Sequence, residues 1–237
     1  MIAQIPAQIY KSDLRGVFNS GKHNCFATFN FEQYQDLSRN AFGSLKIFNE
    51  VILAPKQQIT RLINLKTNVI ILPLFGGIEY KDSIGNAEFL RVDQIRVLAA
   101  DDELNVEIFN PYENENVSYL EIEFDMGKQY FKNYFQQYKF DFSLHNKLYS
   151  LFEVERALGF IGIYDGRKHG SFTLRNSKNG VFVFVLNGAF EVEDRLLESK
   201  DGLALKETGK IEWEALSENA ILMVIEVPLK RLIYENH

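Results

Sequence analysis

Four histidines are the side chains in this sequence best suited to bind a transition metal: His23, His145, His169 and His237. Metal sites gather imidazoles at short spacings, because neighbouring positions on one strand or helix reach the same ion. No two of these histidines have such a spacing, and none lies between His23 and His145. We therefore expect His145 and His169 to be solvated loop residues, with a shared metal site as the alternative.

Three other patterns carry reactive groups without the context that their chemistry needs. Gly16–His23 is one residue away from a phosphate-binding P-loop, but it ends in His where Ser or Thr would bind magnesium. Cys25, beside Phe26, is expected to be a buried small hydrophobe rather than a reactive thiolate. The adjacent carboxylates of Asp101–Glu103 are typical of a polar turn. None of these three patterns therefore predicts the activity that its reactive group could support: nucleotide binding, thiol catalysis or catalysis by paired carboxylates.

Composition and charge exclude several classes of partner. The 237 residues are 46% hydrophobic and 24% charged, as in an ordinary globular protein. A net charge of −6 disfavours nucleic acid and anionic membranes, because both attract a cationic face. The single cysteine excludes an internal disulfide framework and suits a reducing compartment. No secretory signal is visible, and the longest apolar stretch, about 69–78, is too short for a membrane helix of ~20 residues, so we expect a cytoplasmic protein.

Most of the sequence has the pattern of short strands separated by turns. In residues 27–31 and 44–48, small or polar residues alternate with larger apolar ones. Val69–Leu74 is a continuous apolar run of the kind found in strands buried on both faces. The alternating stretch 78–81 meets a turn at Asp82–Asn86. Many short strands at this spacing predict an all-β sandwich or barrel.

The segment from about Gly127 to Phe142 has a different pattern. Its aromatic residues recur at spacings that fit one face of a short helix, and they are Tyr130, Phe131, Tyr134, Phe135 and Tyr138. We expect this stripe to pack between or beneath two domains in a short helical or irregular linker. The alternatives are an aromatic box that binds a ligand and an exposed aromatic surface for a protein partner.

An internal repeat predicts two domains in tandem. Leu74–Asp82 parallels Leu186–Asp194, and the glycines at 76 and 188 are 188 − 76 = 112 positions apart. In each copy an apolar strand leads into glycine, which permits a tight bend, and then into a strand that ends at Asp. We place the domains at residues 1–130 and 131–237. The sequence indicates no oligomeric state.

Several segments resemble the pirin family of bicupins. Phe29–Tyr34 and Phe42–Glu50 resemble the opening of that family, and Leu74–Asn86 resembles its metal-cupin hairpin. In the second half, Asn146–Tyr149 and Asp201–Leu205 resemble the C-terminal cupin of the shorter bacterial branch, which includes quercetin 2,3-dioxygenases. The resemblance implies an all-β fold of two tandem cupin domains, each a jelly-roll-like double-stranded β-helix.

The resemblance also implies where a metal would be bound, and there this sequence departs from the family. Relatives hold an iron-type metal in the N-terminal cupin with a His-x-His pair, a third His and a Glu. Counting back from the Asp82–Ser83 turn places the pair on Leu62 and Asn64. Counting from Asn110–Pro111 places the third His near Asn105 and the Glu on Glu107. A one-residue slip restores no imidazole, and amide oxygens are poor ligands for iron or copper. We therefore predict that the metal ligands are lost and that no metal cofactor is bound.

The remaining polar residues predict a pocket rather than a metal centre. We expect the mouth or interior of the first barrel to be lined at the former metal site by Leu62, Asn64, Asn68, Asn105 and Glu107. The preferred hypothesis is a protein that has lost the oxygenase chemistry and binds a small organic molecule or serves in an interaction. The alternative is a quercetin 2,3-dioxygenase-type oxygenase with a non-standard or absent metal site, in which Glu107 is the candidate general base.

Overall fold

The computed structural model describes residues 5–64, 67–100, 102–125, 134–139, 141, 143–154 and 156–229. These residues contain two single-turn 3₁₀ helices, Ser12–Leu14 and Leu37–Arg39, and no α-helix. The strands of the described residues are β1 (Ala7–Tyr10), β2 (Gly16–Asn19), β3 (His23–Ala27), β4 (Leu45–Leu53), β5 (Gln58–Ile63), β6 (Thr67–Phe75), β7 (Ile78–Asp82), β8 (Ala87–Leu90), β9 (Gln94–Ala100), β10 (Leu104–Phe109), β11 (Val117–Asp125), β12 (Tyr134–Lys139), β13 (Tyr149–Val154), β14 (Ala157–Tyr164), β15 (His169–Thr173), β16 (Gly180–Asn187), β17 (Phe190–Val192), β18 (Arg195–Leu197), β19 (Gly202–Leu205), β20 (Lys210–Ala215) and β21 (Ala220–Val227). The predicted all-β class is confirmed.

The chain divides into two compact units, and the first is built on strands β2–β12. A seven-stranded sheet has the order β12-β9-β6-β11-β4-β3-β2, and a four-stranded sheet has the order β5-β10-β7-β8. Their inward side chains form one apolar core, which includes Val51, Val69, Ile71, Leu104 and Val106. Each sheet therefore contributes one apolar face, as in a sandwich or jelly roll.

The second unit repeats this architecture with β1 and β13–β21. Its six-stranded sheet has the order β1-β19-β16-β21-β14-β13, and its four-stranded sheet has the order β15-β20-β17-β18. Strand β16 is buried along nearly its whole length, as its unbroken apolar sequence predicts. Trp213 and Tyr164 pack edge to face in this core, with ring centroids 5.7 Å apart.

The boundary between the units differs from the predicted division at residues 130 and 131. Strand β12 pairs with β9 along its whole length, so residues 134–139 belong to the first unit. Strand β1 pairs with β19, so residues 5–15 belong to the second unit, as do Phe42–Ser44. Long-range strand pairing sets both assignments, and the local sequence does not show which distant strand each segment pairs with.

The prediction of a short helix or irregular linker is wrong for residues 134–139, which form strand β12. Aromatic residues in neighbouring pairs fit a strand as well as a helix, because both faces of a strand can be buried. The free edge of β9 provides hydrogen-bond partners along the whole segment. Residues 126–133 lie outside the described residues, and so do the side chains of the aromatic stripe at residues 134–138.

The internal repeat corresponds to the turn that joins the two sheets of each unit. Gly76 separates β6 from β7 with φ +68°, and Gly188 separates β16 from β17 with φ +80°. This backbone conformation costs other L-residues roughly 1–2 kcal/mol. A Cβ atom on Gly188 would lie 2.3 Å from the Ser217 hydroxyl oxygen. The repeated glycines are therefore required both by backbone conformation and by packing.

Gly188→Ala is expected to lower the free energy of unfolding by about 2–4 kcal/mol. The new Cβ atom would strain the left-handed backbone conformation and would also clash with the Ser217 hydroxyl. Urea denaturation followed by the fluorescence of Trp213, the single tryptophan, measures the effect in the second unit. Gly209→Ala is the matched control, because Gly209 has open space around it and is not among the described glycines with positive φ. Equal stabilities of the two variants would contradict this explanation of the repeat.

Candidate functional site

The predicted pocket residues on β10 do not face the interior of the first barrel. Asn105 and Glu107 alternate with Leu104, Val106 and Ile108, which are buried in the core. Because successive side chains of a strand point to opposite faces, Asn105 is exposed and Glu107 is half-buried on the outer face. The structure therefore differs from the predicted interior placement at both positions.

The other three predicted residues are not gathered at one place. Leu62 lies directly opposite Asn105 on the same outer face and is 50% exposed. Asn64 follows β5 and is exposed. Asn68 is buried, but it lies next to the core residue Val69 on β6 and therefore on the opposite face of the sheet. The structure thus corrects the prediction that these residues line the barrel interior together.

An ionic cluster occupies the inward face instead, and three side chains form its centre. Arg61 on β5 lies opposite the core residue Val106, while Glu121 and Glu123 on β11 lie opposite the core residues Ile71 and Val69. The Arg61 Nε donates to Glu121 Oε1 at 3.1 Å, and Arg61 Nη2 lies 3.8 Å from Glu123 Oε1. Side-chain exposure is 5% for Glu121 and 12% for Glu123. We call Arg61, Glu121 and Glu123 the inner cluster.

The loop after β3 contributes two further contacts to Arg61 of the inner cluster. Glu32 Oε1 lies 3.8 Å from Arg61 Nη1, and its own side chain is half exposed. The Phe31 ring lies under the guanidinium, with its centroid 5.0 Å from Arg61 Cζ. Glu32 has φ +46°, which places this loop in a sparsely populated backbone conformation. The loop therefore adds one carboxylate and one aromatic face to the site.

Burial changes the acid–base behaviour of Glu123. Burial, the nearby charge of Glu121 and a hydrogen bond with that carboxyl group raise the pKa of Glu123 to about 8, against the opposing attraction of Arg61. The Glu123 carboxyl group is therefore largely protonated at neutral pH and can donate a hydrogen bond. A carboxylic acid beside a second carboxyl group is an arrangement that can hold and transfer a proton.

The raised pKa predicts that stability decreases as pH rises. The folded chain keeps a proton on Glu123 that the unfolded chain releases above its ordinary pKa of about 4.5. The stabilisation is complete below pH 4.5 and is lost between about 4.5 and 8. Urea denaturation at pH 5 and pH 8 measures the effect. Between these two pH values the free energy of unfolding should fall less in Glu123→Gln than in wild type, because Gln stays neutral. If the free energy of unfolding changed equally with pH in both proteins, the raised pKa of Glu123 would be contradicted.

Two buried hydrogen-bond donors on the same inward face lack partners among the described residues. The Tyr119 hydroxyl lies on a fully buried side chain two positions before Glu121, and Asn49 lies directly across from Glu121 on β4. Neither Tyr119 Oη nor Asn49 Nδ2 has a hydrogen-bond partner in the part of the chain that the structure describes. A buried unsatisfied donor costs about 1–3 kcal/mol, so such groups usually meet a water or a ligand.

The inner cluster does not fit the transition metal that the resemblance implies. Within the described ranges no three His, Cys, Asp or Glu side chains are arranged to hold a metal ion. The interior donors are carboxylates and an amide, and the guanidinium of Arg61 already lies among the carboxylates. Iron, copper and nickel favour imidazole or thiolate ligands, and a fixed positive charge repels a cation.

Sequence reasoning missed the inner cluster, although β11 contains a signal for it. Tyr119, Glu121 and Glu123 are spaced two apart, so they share one face of a strand that also carries buried apolar residues. Two acidic residues on a core-facing side require a buried partner. That partner, Arg61, lies 60 positions away, and only the tertiary fold brings it there.

The remaining sequence candidates lie elsewhere. Cys25 is buried, as predicted. His145 bonds to Asp165 at 2.7 Å, whereas His169 lies on β15 and lines an acidic groove of about 590 Å³ on the second unit. The groove also contains Glu191, Glu193, Asp194, Glu212 and Glu214. His169 is therefore a strand residue rather than part of a turn, and the described side chains of this groove are not arranged to hold a metal ion.

Comparisons with known proteins agree with the two-unit architecture. Residues 159–227 match the model of the quercetinase C-terminal cupin domain. The chain is 20% identical over 222 residues to a quercetin 2,3-dioxygenase of Escherichia coli K12, an alignment that covers 90% of this chain and 95% of that protein. A second quercetin 2,3-dioxygenase, from Escherichia coli O157:H7, is 24% identical over 112 residues, or 47% of this chain and 48% of that protein.

Solved structures extend the agreement over nearly the whole chain. YhhW from Escherichia coli superposes with a TM-score of 0.87 at 18% identity, covering 95% of this chain and 99% of that one. The same bacterial pirin in complex with nickel(II) gives a TM-score of 0.84 at 17% identity, covering 95% of this chain and 100% of that one. No helix in the described part of the chain is long and apolar enough to cross a membrane. Together, the match to the quercetinase C-terminal cupin domain and the similarity to bacterial pirin over nearly the whole chain show that this chain has the fold of the pirin-like bicupins.

Proposed function

We propose that the first barrel binds a small organic molecule at the inner cluster and that it does so without a transition metal. The observation that carries this proposal is the pair of donors without a partner among the described residues, Tyr119 Oη and Asn49 Nδ2, on the same face as the buried carboxyl groups of Glu121 and Glu123. Buried polar groups that stay unpaired are found where a ligand or water completes them. The loss of the oxygenase chemistry that relatives possess belongs to the same proposal.

The chemistry of the lining favours a neutral molecule that carries hydroxyl or carbonyl oxygens. Tyr119 and Asn49 can donate to such an oxygen, and burial raises the pKa of Tyr119, so its hydroxyl stays protonated. The carboxyl groups of Glu121 and Glu123 accept from a ligand hydroxyl. An anion would approach buried carboxyl groups, while a cation would approach Arg61, and both cost electrostatic energy.

Ligand-observed NMR tests the proposal with a panel of neutral hydroxylated and carbonyl compounds. We expect saturation transfer from wild type to at least one compound, and its loss in Tyr119→Phe and in Glu121→Gln. Glu107→Gln is the matched control, because Glu107 lies on the outer face and its substitution should leave binding unchanged. Binding that survives both interior substitutions, or no binding by wild type, would refute the proposal.

A quercetin 2,3-dioxygenase-type oxygenase is the second candidate, supported by the names of the two curated relatives. Flavonol consumption coupled to oxygen uptake by the purified chain would establish it. Glu107 points outward and Glu121 points inward. Loss of flavonol consumption in Glu121→Gln but not in Glu107→Gln would therefore identify the inner cluster as the site of that activity. No turnover, with or without added divalent metals, would remove this candidate.

A further inference from the structure

Glu121 lies beside two buried hydrogen-bond donors on the inward face of the first barrel. Tyr119 comes two positions earlier on β11 and therefore shares that face, and Asn49 lies directly across from Glu121 on β4. Tyr119 is 0% and Asn49 1% exposed, and neither Tyr119 Oη nor Asn49 Nδ2 has a partner within the described ranges. Buried donors of this kind point to an acceptor that completes them, and here they accompany a carboxylate.

The Tyr119 hydroxyl lies within electrostatic reach of the inner cluster. Burial and the charge of Glu121 raise the pKa of Tyr119, while the charge of Arg61 opposes this shift. Tyr119 therefore keeps its proton at neutral pH and acts as a donor. Arg61 donates from Nε to Glu121 Oε1 at 3.1 Å, which holds that carboxyl group in place on the same face.

This combination is suited to the removal of a proton from a carbon next to a carbonyl group. When a base takes such a proton, negative charge moves to the carbonyl oxygen, and preorganised donors stabilise that charge. Hydrogen bonds to a charged oxygen are roughly twice as strong as those to a neutral one. Tyr119 and Asn49 would therefore favour the transition state over the bound carbonyl compound, with the carboxylate of Glu121 as the base.

We propose that the inner cluster catalyses proton transfer at the carbon next to the carbonyl group of an α-hydroxy ketone or aldehyde, with Glu121 as the base and Tyr119 and Asn49 as donors to the oxygen. The C–H bond breaks, its proton forms an O–H bond with Glu121, its electron pair forms a C=C bond, and the carbonyl π electrons move to the oxygen. Return of a proton to the same carbon completes an exchange with solvent. The inference rests on the proposed function, because it assigns a reaction to the ligand bound there.

Glu123 supplies the second proton transfer that an isomerisation needs. After the first step, the hydroxyl proton must move to the new oxyanion before the neighbouring carbon takes a proton from Glu121. The carboxyl group of Glu123 forms a hydrogen bond with that of Glu121, and its pKa of about 8 lets it gain and lose a proton near neutral pH. The two transfers together exchange the carbonyl and hydroxyl positions without an oxidant or a reductant.

Proton NMR in D₂O tests the proposal with the full chain and three probes: glyceraldehyde, hydroxyacetone and acetoin. We expect wild type to accelerate exchange of the C–H proton for deuterium roughly 10⁴-fold over the protein-free solution for at least one probe. Tyr119→Phe should slow this exchange about 10²-fold, because one donor to the oxyanion is lost. Glu121→Gln should abolish it, and Glu107→Gln, on the outer face, is the matched control that should leave it unchanged.

Glu123→Gln separates the second proton transfer from the first. Exchange at the starting carbon should continue, whereas conversion of glyceraldehyde into dihydroxyacetone should fall about tenfold or more relative to that exchange. A purely structural effect would lower both rates equally. Equal loss of exchange and conversion would therefore overturn the role of Glu123.

The melting temperature of each variant shows whether it is folded, and if Glu121→Gln does not fold, the nearly isosteric Tyr119→Phe decides. The proposal is overturned if wild type accelerates exchange of none of the probes, or if either folded variant exchanges them as fast as wild type. Ligand-observed NMR distinguishes this failure from failure of the proposed function. Binding without exchange overturns only the reaction, and absence of both overturns the binding site as well.

Discussion

Arg61→Met is expected to lower the free energy of unfolding by about 3–5 kcal/mol at neutral pH, because it leaves buried carboxyl groups without their counter-charge. Glu121 loses its hydrogen bond from Arg61 Nε, and Glu123 loses the nearby guanidinium. Lowering the pH should reduce the loss, since protonated carboxyl groups do not repel each other. Urea denaturation followed by far-ultraviolet circular dichroism measures both effects.

Two comparison variants make this prediction specific to the buried cluster. Arg91→Met removes an exposed arginine that forms an ion pair with Asp93, and this substitution should lower the free energy of unfolding by less than about 1 kcal/mol. The double variant Arg61→Met/Glu121→Leu should recover part of the loss, because apolar residues of similar volume can replace a buried ion pair. Equal effects of Arg61→Met and Arg91→Met would show that the inner cluster contributes little to stability.

Glu226→Ala is expected to destabilise the second unit by about 3–5 kcal/mol, because three donors lose a buried carboxylate. Glu226 is fully buried and accepts from the backbone N–H of Arg175 at 2.8 Å, from the backbone N–H of Asn176 at 3.0 Å, and from Asn179 Nδ2 at 2.8 Å. These bonds hold the turn before β16 against β21. Fluorescence of the buried Trp213 reports unfolding of this unit.

The matched control for Glu226 also involves Arg175. Glu153 accepts from the side chain of Arg175 at 3.1 Å, but both side chains are largely exposed. Glu153→Ala should therefore change stability by less than about 1 kcal/mol. If both glutamate variants unfold at the same urea concentration, the turn does not depend on Glu226 as the structure indicates.

The fold could be predicted from sequence because its signals are local and repeated. Alternating or continuous apolar runs predict strands, and the glycines at 76 and 188 predict the same bend twice. The units' boundaries could not be predicted, since β1 and β12 pair with distant strands. The aromatic spacing at residues 134–138 fits a helix on paper, but pairing with β9 makes this segment a strand.

The site was predicted less well than the fold because a strand changes face at every residue. Asn105 and Glu107 are each one position from the inward residues Leu104 and Val106, and this small difference in register moves them outside the barrel. Likewise, Leu62 is exposed while its neighbour Arg61 lies on the inward face. The family resemblance identified the correct strands, β5 and β10, but not which residues of these strands point into the barrel.

Anomalous X-ray scattering from crystals of protein purified without chelator tests the organisation of the first barrel most directly. The structure predicts that the Arg61 guanidinium lies among the carboxyl groups of Glu32, Glu121 and Glu123, with no transition-metal peak inside this barrel. An iron, nickel, copper or zinc ion coordinated within the first barrel, with Arg61 displaced from the carboxylates, would contradict it.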